Sequence, residues 1–239
     1  QRYALIVYRD DGDQYVTRAF DFTGSLEDFR ATLSDQQASG GGDYPEAVHL
    51  ALAQAGKLSW RDRGTARVMF LVGDAPPHDR FAGEALAAVA GLCSRGVRVF
   101  PVAASGAKQK AEFVMRTTAF LTLGQYLFLT DHSGVGNPHA RPHVPSYQVE
   151  RLDRLMIRMI ASELSGKRLA PGEVIAIEGG ASPGELPIDP EQQQTGHPAP
   201  GASRARASFG LPSWVLLAGA ILLLCLVDAA VDRAGPKQR

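Results

Sequence analysis

The sequence lacks several features that would assign it to a class of protein. Its 239 residues include only two cysteines, Cys93 and Cys225, so a disulfide framework is not indicated and both are predicted to be buried small side chains. Basic and acidic residues balance at 25 each. No basic stripe argues for nucleic-acid binding, and no acidic run argues for a disordered tail. The sequence has no internal repeat.

Common catalytic motifs are lacking too. No G-x-S-x-G segment is present, which argues against a hydrolase with a nucleophile elbow. Neither G-x-G-x-x-G nor G-x-x-x-x-G-K-[ST] occurs, which argues against an enzyme that uses those nucleotide-binding loops. The chain is therefore predicted not to be an enzyme, and its function has to be inferred from a binding site.

Strand and helix patterns alternate along the first two thirds of the chain. Strands are predicted at residues 3–9, 15–22, 68–72, 97–102 and 126–129, and the first two form a hairpin around Asp10-Asp11-Gly12-Asp13, predicted to be a solvated turn. Helices are predicted at residues 26–33, 47–58, 81–95, 108–119 and 152–164. This order predicts an α/β fold: a doubly wound, mostly parallel sheet with one antiparallel edge strand from the hairpin.

Two helix starts carry recognisable signals. Ser25 is suited to cap the first helix. Pro45 is suited to the first turn of the second helix, with Asp43 or Tyr44 near its cap and Glu46 as a favourable first-turn charge.

Composition divides the chain into four parts. Residues 1–168 are predicted to be the folded domain and residues 169–210 a linker rich in Pro, Gly and Ala. Residues 211–231 include an almost wholly apolar run, which predicts a single transmembrane helix. Residues 232–239 form a short tail. Basic residues in that tail favour a cytoplasmic tail and an extracytoplasmic domain.

Two polar segments are predicted to meet where parallel strands end. Asp74 directly follows a buried strand, and Gly40-Gly41-Gly42-Asp43 delivers a carboxylate just before a helix. Ligands of open α/β sheets bind in the crevice beyond the carboxyl ends of the strands. Because a buried carboxylate is costly unless it is paired or binds a cation, Asp74 and Asp43 are the predicted metal ligands, with Gly42 as a neighbour. His78 is predicted to be a satisfied structural histidine.

Residues 40–46 and 70–78 resemble the second and third segments of the metal-ion-dependent adhesion site of von Willebrand factor type A domains. The opening hairpin and residues 99–102 are also similar to that fold. The resemblance implies a divalent cation, usually Mg²⁺ but also Mn²⁺ or Ca²⁺, held by oxygen ligands, with an open position for a partner's carboxylate. It makes Asp74 the third-segment aspartate and puts Asp43 where the family commonly has threonine.

The family's first segment, Asp-x-Ser-x-Ser after a central strand, has no counterpart before Tyr3. Residues 21–25 follow the second hairpin strand instead and are predicted to be a turn and helix cap. The domain is therefore expected to be partial, with its first strand and most metal ligands upstream of Gln1 and weak or absent cation binding in this chain.

The expected function is that of a membrane-anchored module that binds a protein partner through a cation. Two alternatives stay open: a metal-free structural subunit of a membrane assembly, and a metal-dependent hydrolase that uses Asp43, Asp74 and His78. His139 and His143 lie in a proline-rich loop, and Asp131-His132 is predicted to be a turn, so none of them is a predicted ligand.

Overall fold

The computed structural model describes residues 1–37, 43–62, 64–104, 106–129 and 150–171, together with the backbone of residues 222–230. The strands are β1 Arg2–Tyr8, β2 Thr17–Thr23, β3 Thr65–Gly73, β4 Val97–Ala103, β5 Leu127–Phe128 and β6 Leu222–Ala230. The helices are α1 Leu26–Ser34, α2 Val48–Ala55, α3 Ala82–Ser94, α4 Gln109–Leu121 and α5 Leu152–Ser165, with a short 3₁₀ turn, Asp79–Phe81, before α3.

The strands form one mixed sheet in the order β2-β1-β6-β3-β4-β5. β1 and β2 are the predicted antiparallel hairpin, and β3, β4 and β5 are parallel. β6 runs antiparallel to both β1 and β3, so β1 points in the same direction as β3. The predicted α/β class is confirmed, and the carboxyl ends of four strands lie at one edge of the sheet.

The centre of the sheet differs from the expectation. The backbone of β6 lies between β1 and β3, with Cys225 opposite both Leu5 and Phe70. The sequence analysis predicts a helix over residues 211–231, but a short apolar run suits a buried strand as well as a helix, and periodicity alone does not separate them. The rest of that segment lies outside the described residues, so the transmembrane prediction stays a prediction. None of the described helices has the length and apolar character needed to cross a membrane.

Both faces of the sheet are covered, as the alternation along β1 demonstrates. Ala4, Ile6 and Tyr8 belong to a core formed with α2 and α3, whereas Leu5 and Val7 belong to a core formed with α1 and α5. Alternate residues of a strand point to opposite faces. A fully buried leucine, isoleucine or valine contributes about 1.5–3 kcal/mol relative to an exposed one, so burial on both faces stabilises the sheet.

Helix starts agree with the prediction at α1 and differ at α2. The Ser25 hydroxyl accepts a hydrogen bond from the Asp28 backbone N–H at 3.1 Å, which confirms the predicted cap. α2 begins at Val48, and its N-cap residue Ala47 makes no side-chain cap bond. The predicted start around Pro45 is wrong, because the residues before α2 pair with the segment that follows β3: the Glu46 N–H donates to the Pro76 carbonyl at 3.0 Å.

The prediction that Cys93 is buried is also wrong. α3 buries Ala85, Val89 and Leu92, and Cys93 is exposed as a free cysteine. Successive helical residues are about 100° apart around the axis, so the residue after Leu92 turns away from the sheet. The side chain of Cys225 lies outside the described residues.

Candidate functional site

Three chain segments converge where β1 and β3 end. The first is the turn after β1, the second is residues 43–47 before α2, and the third is residues 74–78 after β3. Residues 43–47 lie between the other two: the Ala47 N–H donates to the Arg9 carbonyl at 3.3 Å, and Glu46 forms an isolated parallel bridge with Pro77. We call the space bounded by these three segments the crevice. Asp43 and Asp74 thus border one crevice, while Gly40, Gly41 and Gly42 lie outside the described residues.

Asp74 lies at the end of β3 with its carboxylate partly buried. The Tyr44 hydroxyl donates to the Asp74 backbone carbonyl at 2.6 Å and accepts from the Lys108 N–H at 2.8 Å. Burial raises the pKa of the Asp74 carboxyl. Among the residues that the structure describes, no cationic side chain forms an ion pair with it. Asp74 is therefore a partly buried carboxyl group without an ion-pair partner among the described residues.

A second acidic group forms around His78. The His78 Nε2 atom lies 2.8 Å from Asp10 Oδ1, and one ligand atom from each of Asp10, Asp43 and His78 lies within 4.8 Å of the others. His78 has a hydrogen-bond partner, as the sequence analysis expects. The prediction of a solvated turn holds for Asp11 and Gly12, which are exposed, but not for Asp10, which is partly buried.

Glu46 is the most perturbed acid of the crevice. Its side chain is buried, with 6% relative exposure, and its Oε2 atom has no hydrogen-bond partner in the described structure. Burial, followed by the negative charges of Asp10, Asp13, Asp74 and Asp43 in that order, raises the pKa of Glu46 to about 8. The prediction of a simple first-turn charge is wrong, because Glu46 precedes α2 and is enclosed by the crevice.

Other buried groups beside the crevice also lack partners. Tyr8 Oη, Arg9 Nε, Glu46 Oε2 and His49 Nδ1 are each buried without a hydrogen bond from any described residue. Burial, followed by the charges of Glu46 and Asp74, raises the pKa of Tyr8 well above its usual value. The Arg9 guanidinium donates to the Gln37 carbonyl and lies over the Tyr15 ring. Each unsatisfied buried group costs about 1–3 kcal/mol, so the crevice is electrostatically unfavourable as it stands.

Sequence reasoning missed Asp10 and Glu46 as members of the site. Asp10 carries the same signal that identifies Asp74, since it follows a buried strand by two residues. Glu46 carries no such signal, because its burial depends on the contact between its backbone and Pro76-Pro77.

The chemistry available in the crevice is cation binding by carboxylate oxygens and one imidazole. Comparison of the chain with models of protein families, with curated proteins and with solved structures found no match.

Proposed function

We propose that the chain is a membrane-anchored binding domain of the von Willebrand factor type A kind, and that it engages a protein partner through a divalent cation at the crevice. The cation site is incomplete in this chain, so the cation is expected to bind weakly and the tests use a high concentration of Mg²⁺. One observation carries the proposal: Asp74 and residues 43–46 meet at the carboxyl ends of the strands, as the resemblance requires. The antiparallel edge strand β2 and the parallel strands β3, β4 and β5 are consistent with that fold, whereas the antiparallel β6 at the centre of the sheet is not.

The charges of the crevice support a cation. Asp43 and Asp74 supply carboxylate oxygens, the ligand type that Mg²⁺ takes in proteins while it keeps several waters. The pKa of Glu46, raised to about 8 by burial and by four neighbouring acids, is the mark of uncompensated negative charge. A bound Mg²⁺ would supply that compensation and an open position for a carboxylate of the partner.

Membrane anchoring is proposed from residues 211–231, with the domain on the extracytoplasmic side. Nine residues of that segment form β6, so anchoring requires that these residues leave the sheet and enter the bilayer. Flotation of the full chain with phospholipid vesicles after an alkaline carbonate wash tests the anchor. Recovery of the full chain in the soluble fraction would contradict anchoring.

Partner recognition is tested by selecting peptides from a random phage-displayed library on the immobilised full chain. Selection is carried out in Mg²⁺ and elution with EDTA. We expect the recovered peptides to share an Asp or Glu whose change to Asn or Gln abolishes binding, because the open position of the cation takes a carboxylate. Asp74→Asn is expected to abolish the selection.

Asp79→Asn is the matched control. Asp79 is exposed, pairs with Lys110 and lies just beyond the crevice, so its replacement is expected to leave peptide binding unchanged. Peptides that bind equally well in EDTA and to the Asp74→Asn chain would overturn the proposal and favour a metal-free structural subunit.

A further inference from the structure

We propose that Asp10, Asp43 and His78, with Glu46 on their buried side, form a binding site for a zinc-class cation. This site shares Asp43 with the magnesium site proposed at Asp74 but takes its other ligands from Asp10 and His78. It stands on its own geometry and does not depend on partner binding.

The three ligands come from three different chain segments. Asp10 follows β1, Asp43 precedes α2 and His78 follows β3, yet their ligand atoms lie within 4.8 Å of one another. Each segment is held by the backbone contacts of the crevice, so the group is positioned by the fold. Asp74 is not a member of this group.

The ligand types distinguish this site from a magnesium site. Zn²⁺ binds imidazole nitrogen and carboxylate oxygen at about 2.0–2.2 Å, most often with four ligands. Mg²⁺ favours an octahedron of oxygens and waters. One imidazole and two carboxylates therefore point to Zn²⁺, with Mn²⁺ as a weaker competitor.

Glu46 provides a second and independent sign of a ligand. Glu46 has a relative exposure of 6%, so it is 94% buried, and its Oε2 atom has no hydrogen-bond partner among the described residues. Asp10 exerts the strongest charge effect on it. Glu46 forms a parallel bridge with Pro77, and the N–H of the next residue, Ala47, donates to the Arg9 carbonyl. Arg9 and Pro77 directly precede Asp10 and His78. Glu46 is thus an unpartnered buried acid beside the three ligands, while the atoms that lie within 4.8 Å of one another belong to Asp10, Asp43 and His78.

Binding of the cation releases protons, because carboxylate and imidazole ligands bind a metal ion in their deprotonated forms. Affinity is therefore expected to rise with pH.

The test is a zinc titration of the metal-free full chain in competition with a chromophoric chelator. We expect one tight site per chain, weakened at least about tenfold by Asp10→Asn and by His78→Gln, since even outer-shell changes commonly cost that much. Asp11→Asn is the matched control, because Asp11 lies in the same turn but is exposed and pairs with Arg80. It is expected to leave zinc affinity within about twofold, as is typical of exposed ion pairs.

Direct coordination is measured from the imidazole nitrogen signals of His78 in a ¹⁵N NMR spectrum. These signals are expected to shift when zinc is added, and Mg²⁺ is not expected to produce the same shift. Circular dichroism confirms that each variant is folded. Asp74→Asn is expected to retain zinc binding while it loses Mg²⁺-dependent peptide binding. Equal zinc affinity in the His78→Gln chain would overturn the proposal. Loss of zinc binding in the folded Asp74→Asn chain would also overturn it, because a single shared site would then hold both cations.

Discussion

The two halves of this domain differ in whether their buried and partly buried carboxylates have an arginine or lysine partner. Around α4 and α5, partly buried acids each contact an arginine. These pairs are Glu112–Arg116 at 3.3 Å, Glu150–Arg158 at 2.7 Å and Glu163–Arg98 at 3.5 Å. In the crevice, Asp43, Glu46 and Asp74 have no arginine or lysine ion-pair partner among the described residues, and His78 is paired with Asp10 alone.

This contrast distinguishes carboxylates that stabilise the fold through ion pairs from carboxylates that are available to bind a ligand. Burial raises the pKa of Glu163, but Arg98 and Arg168 oppose that rise. For Glu46 every charge that acts strongly is another acid. Perturbed carboxylates gathered in a cleft without counter-charges are typical of functional sites, so the unpaired half is where binding is expected.

The largest effect predicted from this contrast is a loss of stability with rising pH. The folded-state pKa of Glu46 is about 8 and its ordinary value is 4.5, so between these values the folded chain holds a proton that the unfolded chain has released. The free energy of unfolding therefore falls as the pH rises from about 4.5 to about 8. A tenfold change in proton affinity is worth about 1.4 kcal/mol, so the fall amounts to several kcal/mol.

Urea unfolding in EDTA at a series of pH values measures this fall. Glu46→Gln is expected to remove most of it and to make the chain more stable than wild type above pH 8, because a neutral amide replaces a buried anion. Stability of wild type that is flat over this range, or parallel curves for the two chains, would contradict the assignment.

A cation is expected to produce the next largest effect, because it supplies the missing counter-charge. At a free Zn²⁺ concentration of 100 times its dissociation constant, stabilisation is about 2.7 kcal/mol. The pH dependence assigned to Glu46 should diminish in the same experiment. Thermal unfolding with and without Zn²⁺ measures both, and an equal gain in Asp10→Asn would show that the metal acts elsewhere.

Much of the fold followed from local pattern. Two runs rich in β-branched and aromatic residues, separated by a turn sequence, predicted the β1–β2 hairpin. The unbroken apolar run before Gly73 predicted a strand covered on both faces. Asp74 lies at a strand end, and parallel strands end at one edge of a sheet. These two facts together predicted that Asp74 lies beside residues 43–46. These features depend on sequence neighbours and on general topology.

The features that sequence did not predict depend on contacts between distant segments. Glu46 is buried because residues 43–47 run beside Pro76 and Pro77 before α2 starts. β6 pairs with β1 across more than two hundred residues of chain, and its apolar composition suits a helix equally well. Neither contact leaves a periodic signal, so only the assembled structure revealed them.

A smaller effect, of opposite sign to that at Glu46, is expected from the same chemical change in the paired half. Arg158 donates from Nε and Nη2 to Glu150 Oε2, at 3.0 and 2.7 Å. Glu150→Gln removes the charge that Arg158 faces, so the chain is expected to lose about 2 kcal/mol at pH 7, the range for hydrogen bonds to charged groups. Urea unfolding of the Glu150→Gln and Glu46→Gln chains, each compared with wild type, measures the two changes in stability. A stabilised Glu150→Gln chain would remove the distinction between the two halves.

The smallest effect is expected at the rim of the crevice, where water solvates carboxylate charge that has no counter-charge in the interior. Asp11 lies next to Asp10 in sequence, but its side chain is 55% exposed and lies 3.8 Å from Arg80. Exposed pairs of this kind contribute about 0–1 kcal/mol and weaken in salt, so Asp11→Asn should change stability by less than about 1 kcal/mol and not at all in high salt. Urea unfolding at two salt concentrations measures it. Suppose instead that Asp11→Asn lost as much stability as Glu150→Gln. The total negative charge of the turn, rather than the burial of a carboxylate without a counter-charge, would then determine the stability of the crevice.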